Sequence, residues 1–492
     1  MTQKLILGLD IGTSSVRAAL YDLAGEMLPG TLVKNDRTLT ATDDGGAEID
    51  AEIAFQQVVQ VIDDVLNKTK RIDGNIEYVA AASFWHSLVG VDRKGKATTK
   101  VLGWADTRSR KSTGVLRKRL DETDIHNRTG ARFHSSFWPA KLEWMRSEYP
   151  QVFARTDLWL SFSDLVALRL FGVAATSVSM ASATGIFDIR ACTWDAKLLR
   201  SLKIKQGSLP LVSAGSYTFR LLDTFQKRWP RLRSAEWFSA IGDGAANNIG
   251  AGCLKRSKAA LMIGTSGAMR LAYRGTPPQK IPPGLWCYRI DRRRVIIGGA
   301  LSDGGALFRW MKDTLRLDDI TEGEITRRDP DAHKITVLPF FAGERSTGYN
   351  EGAGGAIIGL RSSTDAVDIA QAALESVAYR FAEIFDQLNS VCRIREIVAS
   401  GGALHESTVW TKIIADVLGR DLMLPDTDEA SMRGAVLLAL ETIGKIKNIE
   451  KLPTPDGKLF LTDRSGKSVY AAARKRHKKA YNLLIQRERD PE

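Results

Sequence analysis

The chain has 492 residues, of which 44% are hydrophobic and 26% charged, the balance of an ordinary globular protein too long for one core, so two or three domains are expected. Four scattered cysteines without a Cys-x-x-Cys pair exclude a disulfide scaffold and a structural zinc site, and no run approaches the roughly 20 apolar residues of a bilayer span, so a cytoplasmic protein without membrane attachment is expected. The net charge of +13 admits anionic ligands, but no basic motif interleaved with aromatics occurs; the excess is expected on solvated faces, with no nucleic-acid partner.

The first element is an apolar run at 5–9 that Asp10 cuts short, too brief for a signal sequence. It leads into Ile11-Gly12-Thr13-Ser14 and a second apolar run at 16–21, so strand, tight turn and strand are expected. After a polar stretch at 35–48, the spacing of Ile53, Val58, Val61, Ile62 and Val65 predicts a helix over 51–68 with those residues inward. A strand at 78–82 ends in Ser83-Phe84-Trp85-His86. Trp104-Ala105-Asp106-Thr107-Arg108 alternates an aromatic, a carboxylate and a guanidinium, which share one face if the segment is extended. Helices follow at 109–120, basic and exposed, and at 140–147 and 163–170. Strands alternating with helices set the class as α/β.

Near the midpoint stands Gly242-Asp243-Gly244, and Ile-Gly-Thr-Ser then recurs at Ile263-Gly264-Thr265-Ser266, again between apolar runs. Arg292-Arg293-Arg294 marks a hairpin tip. A strand at 295–300 runs into Ser302-Asp303-Gly304-Gly305 and a helix. A long helix within 364–389 turns Ile369, Ala372, Ala373, Val377 and Phe381 inward. A strand at 397–400 meets Gly401-Gly402, then helices at 407–418 and 431–443. The tail ends in a basic amphipathic helix at 470–487, expected to clamp onto the second domain.

Neither a P-loop nor the protein-kinase motifs occur. The repeated turn, with Gly12, Thr13 and Ser14 and again with Gly264, Thr265, Ser266 and Gly267, offers bare N–H groups and hydroxyls suited to phosphate oxygens. Only the first copy carries a carboxylate. Asp10 could hold Mg²⁺, or could be an exposed hairpin residue. Asp243 is either a turn residue between glycines or the base that takes a proton from an attacking hydroxyl. Trp104, Asp106 and Arg108 suit a polyhydroxylated ligand; a surface ion pair beside a half-buried indole is the alternative. His86 is a structural histidine or a ligand group at a strand end. Gly401, Gly402 and Ala403 would let an adenosine lie against the backbone, although such turns are common.

In their order and spacing, these residues, together with Ala342-Gly343-Glu344-Arg345, resemble the FGGY family of carbohydrate kinases within the actin-like ATPase superfamily. The resemblance spans about residues 4–445. It implies two actin-like (ribonuclease H-like) domains flanking a central cleft: a sugar-binding domain at 1–245, an ATP-binding domain at 246–452 and a basic tail with a helix at 453–492. It implies ATP and Mg²⁺ as cofactors, Asp243 as base and substrate contacts from His86, Trp104, Asp106 and Arg108. A homodimer is compatible with such a chain. Within the family, His86-Ser87-Leu88-Val89, Arg128-Thr129-Gly130 and, above all, Gly264-Thr265-Ser266-Gly267-Ala268-Met269-Arg270 are most similar to its sugar-acid kinases. There Arg270 could pair with a substrate carboxylate. Other expected acceptors are neutral ketoses or polyols. A different class, an ATP-dependent regulatory module using the basic tail, is the alternative to catalysis. Trp85, Ser135-Ser136-Phe137-Trp138, Asp303 and Ser346-Thr347 depart from the family pattern and are expected to shape the sugar pocket.

Overall fold

Strand Lys4–Ile11 pairs antiparallel with Ser15–Tyr21 and parallel with Asn75–Ser83, and this register decides where the first turn lies. Asp10 stands opposite Ala82 and Ile11 opposite Ser83, while Gly242 of the short strand Ile241–Gly242 also faces Ser83. Asp10, the Phe84-Trp85-His86 segment and Asp243 therefore leave the sheet together at the C-terminal ends of parallel strands, where open α/β sheets gather ligands. The structure, a computed structural model, describes residues 3–315, 317, 321–426 and 429–486.

The first sheet has seven strands, in the order Thr218–Phe219, Glu236–Phe238, Asn75–Ser83, Lys4–Ile11, Ser15–Tyr21, Val33–Asp36, with Ile241–Gly242 also on Asn75–Ser83. Leu5, Leu7 and Leu9 alternate onto one face and pack with Val58, Val61, Ile62 and Val65 of helix Ala51–Lys68. Asp50 caps that helix by accepting the Glu52 and Ile53 N–H groups. Ile53, expected inward, is 59% exposed, because the buried stripe runs through Ala51, Ala54, Phe55 and Val58 and leaves residue 53 off to one side.

The second sheet repeats the plan with seven strands: Trp286–Arg289, Arg294–Leu301, Gly267–Arg274, Lys258–Ile263, Glu396–Ser400, Leu422–Pro425 and Gly457–Phe460. Met262 faces Ser400 in parallel register, so the second Gly-Thr-Ser turn and Gly401-Gly402 emerge side by side. Helix Ala366–Val391 backs the sheet, starts at a capping box between Asp365 and Asp368, and buries Ala372, Ala373, Val377 and Phe381. Ile369 is only half-buried.

The halves are joined by more than the chain between them. Helix Asp243–Gly250 crosses helix Ala430–Thr442 so closely that a Cβ at Gly434 would lie 1.8 Å from the Ala246 carbonyl oxygen. Helix Ala430–Thr442 also packs on the first sheet, where Met432 fills the space left by Gly8, and Glu429 pairs with Arg17 at 2.8 Å.

Two basic runs behave differently from a solvated surface. Arg294 is fully buried and bonds Asp291, Glu441 and Glu450, so only Arg292 and Arg293 form the exposed tip. In the tail, helix Lys467–Tyr481 turns Arg474 to Asp386, Arg476 to Asp331 and Lys478 to Glu383. Tyr481 donates to Glu344 at 2.8 Å, beside Arg345. The expected end of the tail helix at Arg487 lies outside the described residues. All four cysteines are free and buried, and among the described residues no helix is long and apolar enough to cross a membrane.

Candidate active site

The identical tetrapeptides fold into turns of different length. In the first, Ile11 pairs with Val16 and Gly12 N–H donates to Ser15 C=O at 2.9 Å; in the second, Ile263 pairs with Gly267 and Gly264 N–H reaches Ser266 C=O at 2.9 Å. Tertiary partners account for the extra residue. Arg37 draws the first loop out, with its guanidinium on Gly12 C=O and its backbone N–H on Ser14 C=O at 2.8 Å. The second is held tight by N–H groups of Gly304, Gly305 and Ala306, which donate to the Thr265 and Gly264 carbonyls. Ser14 and Thr265 are exposed at the tips, with Thr13 and Ser266 partly so.

Asp10 and Asp243 face each other electrostatically across the sheet edge. Burial, the Asp243 carboxylate and Glu429 push the Asp10 carboxyl up to about 7, with Arg17 opposing. Burial also raises Asp243, against Arg270, the Gly244 N–H at 2.7 Å, the Trp85 backbone and Arg345. Asp10, disfavoured in its charged form by the Asp243 carboxylate and without a hydrogen-bonding partner among the described residues, offers oxygens suited to a hard divalent cation.

On the acceptor side, His86 sits at φ 66°, and its Nδ1 lies 2.8 Å from the Ala183 carbonyl. That carbonyl accepts a hydrogen bond from Nδ1–H, which leaves Nε2 as the acceptor nitrogen. Burial, reinforced by Arg345, lowers His86 well below the usual imidazole range, so it stays neutral. Phe137 and Tyr288 wall the ring at 5.0 and 5.7 Å between centroids.

The extended Trp104–Asp106–Arg108 comb expected from alternation does not form. Asp106 N–H bonds Gly103 C=O at 3.4 Å and Arg110 N–H bonds Thr107 C=O at 2.9 Å, so the segment turns instead. Only Trp104 meets the cleft residues, with the Arg345 guanidinium 5.2 Å from its ring centroid. Asp106 is 1% exposed and accepts from Arg108 and from Ala47 N–H, while Arg108 also pairs with Glu48 at 2.6 Å and lies over Trp144. Those polar groups are already satisfied. The pair buttresses the Trp104 turn.

The departures from the family pattern separate in the same way. The Trp85 indole packs against Gly242, where a Cβ would be 1.8 Å from its Nε1. Trp138 is fully buried and donates to Ser87 C=O at 2.8 Å. Both are packing residues, whereas Phe137 packs edge-on against the His86 ring. Asp303, pushed up to about 6 by burial, accepts the Ala342 N–H at 3.0 Å and fixes the loop that leads to Arg345.

Two arginines converge on Asp243. Arg270 is 6% exposed, and its Nε and Nη1 have no hydrogen-bond partner among the described residues. Burial lowers it to about 10, opposed by Asp243 and reinforced by Arg345. Arg345, also lowered by burial, makes no ion pair among the described residues. Its motif was visible in the sequence, but its place beside Trp104 and Asp243 was not, because the contacts span more than 100 residues.

Opposite lies a cavity of about 560 Å³, lined by Gly264, Thr265, Gly305, Phe308, Gly402 and Ala403. Gly401 makes its backbone turn at φ 102°, where a Cβ would press on the Ile263 carbonyl at 2.3 Å. A glycine there leaves backbone bare beside the phosphate-type turn.

This arrangement coincides with known proteins over most of the chain. The FGGY family of carbohydrate kinases matches through its N-terminal domain at residues 5–231 and its C-terminal domain at residues 259–442. The chain belongs to that family. Gluconokinase from Bacillus subtilis (strain 168) is 26% identical over 478 residues, covering 92% of this chain and 91% of the relative. Xylulose kinase from Staphylococcus xylosus is 23% identical over 441 residues, covering 88% and 90%. Among solved structures, gluconate kinase from Lactobacillus acidophilus matches with a TM-score of 0.90 at 26% identity over 98% of both chains. The ligand-bound xylulose kinase of the same organism matches at 0.90 with 25% identity. The fold is thus the mixed α/β, two-domain, actin-like architecture.

Proposed function

We propose that this carbohydrate kinase transfers the γ-phosphate of ATP to a sugar acid, converting D-gluconate to 6-phosphogluconate. The observation that carries this reading is the pair of arginines, Arg270 and Arg345, held in the cleft with a single facing carboxylate, Asp243. Two buried guanidinium groups facing one carboxylate among the described residues leave a positive charge without a counter-ion, which is costly, and an anionic acceptor would satisfy it. The gluconokinase from Bacillus subtilis supports the same choice.

In this reading His86 and Trp104 flank the acceptor, the indole packing on its C–H faces. Asp243 takes the proton of the attacking hydroxyl as its oxygen bonds to the γ-phosphorus and ADP leaves. The turns at 12–14 and 264–267 hold phosphate oxygens, and Gly401, Gly402 and Ala403 receive the adenosine. Asp10 would hold Mg²⁺, which when bound offsets phosphate charge. Closure of the lobes about the helix pair Asp243–Gly250 and Ala430–Thr442 excludes water. In the basic tail helix, Arg474, Arg476 and Lys478 pair with acids of its own domain, which supports its reading as a clamp on that domain.

Two measurements test these assignments. ATP consumption across gluconate, xylulose, ribulose and glycerol is expected to be highest with gluconate; a preference for a neutral ketose would overturn the choice of acceptor. The pH dependence of magnesium binding tests Asp10. With its carboxyl at about 7, the proton competes with the metal below that pH, so calorimetric Mg²⁺ affinity should weaken about tenfold per pH unit there and level off above. A flat profile would remove Asp10 from the metal site.

A further inference from the structure

We propose that Lys141 is a positioning residue that locks three acceptor-side loops into one arrangement through its single ammonium group. This rests on the reading of those loops as the acceptor site.

Lys141 lies in helix Trp138–Glu148 and is 1% exposed. A lysine among large apolar residues normally sends its head to water. Here Nζ donates to the carbonyl oxygens of His86 at 3.0 Å, Gly103 at 2.7 Å and Ser136 at 2.9 Å. One acceptor is His86 itself, the second immediately precedes Trp104, and the third lies beside Phe137. An ammonium has three N–H donors and no acceptor, so three converging carbonyls match it fully. Among the described residues no carboxylate bonds to it, and its hydrogen bonds there all go to the backbone of the loops that carry the acceptor groups. Other bonds tie the same loops: Ser136 Oγ donates to Trp104 C=O at 2.7 Å, and Ser135 N–H to Glu351 at 2.8 Å. Among the described residues, Lys141 alone hydrogen-bonds to all three.

The charge on Lys141 is poised. Burial lowers it to about 7, Arg345 and Arg108 push the same way, and the Asp106 and Glu351 carboxylates oppose them. His86 and His134 also face it, both lowered by burial and hence neutral near pH 7. Loss of the proton leaves two donors and a lone pair for three carbonyls, so one loop loses its tie. The three-loop arrangement is therefore complete below about pH 7 and loosens above it.

The test uses the full-length protein and Lys141→Gln and Lys141→Met variants. Hydrogen exchange read by mass spectrometry reports on the loops without any substrate. Residues 84–88, 103–106 and 134–137 should exchange faster together in both variants, and faster in the unmodified protein at pH 8 than at pH 6 after correction for intrinsic rates. Residues 264–267 and 401–403 should not change. With the best acceptor from the panel, the acceptor KM of the unmodified protein should rise several-fold from pH 6 to pH 8. In Lys141→Gln it should be raised and flat, with the ATP KM unchanged. If Lys141→Met does not fold, Lys141→Gln and the pH comparison decide. Unchanged exchange in the three loops, or an acceptor KM profile in Lys141→Gln that matches the unmodified protein, overturns the proposal. Failure of every acceptor in the panel would instead count against the proposed function, and the exchange result would stand by itself.

Discussion

Replacing Asp243 with alanine is expected to lower kcat by about a thousandfold or more while leaving ATP affinity within a few-fold, since a positioned general base contributes about 10²–10⁴. The separation follows from geometry. Asp243 opens the helix at the hinge, with Arg270 and Arg345 beside it, whereas the cavity at Gly264, Gly305 and Gly402 belongs to the other sheet. Single-turnover phosphoryl transfer and nucleotide binding, measured on the same variant, check both halves. A near-normal kcat would remove the base assignment. Equal loss of nucleotide binding would show that the residue supports the hinge instead.

The second large effect is expected at Arg270. Arg270→Met keeps much of the side-chain volume but removes the buried charge, so the gluconate KM should rise roughly 30-fold or more, the scale of about 2–5 kcal/mol for breaking a buried charge pair. The base should respond as well. Arg270 holds the Asp243 carboxyl down against burial, so its removal lets that carboxyl rise further. The acid limb of the kcat profile should then move to higher pH. Initial rates over gluconate concentration and pH read both effects. An unchanged gluconate KM would take the carboxylate contact away from Arg270.

Much of this site was legible in the chain because the fold puts local motifs to direct use. The two Ile-Gly-Thr-Ser turns are strand-to-strand turns in the structure, Asp243 opens a helix between them, and Gly401 follows a strand paired in register with the second turn. What was not legible depends on partners far away in sequence. The tetrapeptides are identical, yet Arg37 lengthens one loop and the Gly304–Ala306 N–H groups tighten the other. Alternation at Trp104, Asp106 and Arg108 suggested an extended comb, but Glu48 and the Ala47 N–H draw Asp106 and Arg108 inward and leave Trp104 alone toward the cleft. Arg294 read as surface charge until Glu441 and Glu450 came beside it. Lys141 was not singled out in the sequence, because its burial and the three carbonyls that meet it, two of them 38 and 55 residues away, appear only in the structure.

Two acceptors that differ at one carbon isolate the part played by the substrate carboxylate. D-glucitol carries a hydroxymethyl group where D-gluconate has its carboxylate, and every other hydroxyl can be matched. If Arg270 and Arg345, which share the one Asp243 carboxylate, select an anionic acceptor, kcat/KM should favour gluconate by roughly 100-fold or more, the worth of about 3 kcal/mol or more for a buried charged contact. Equal values, or a preference for glucitol, would contradict the account.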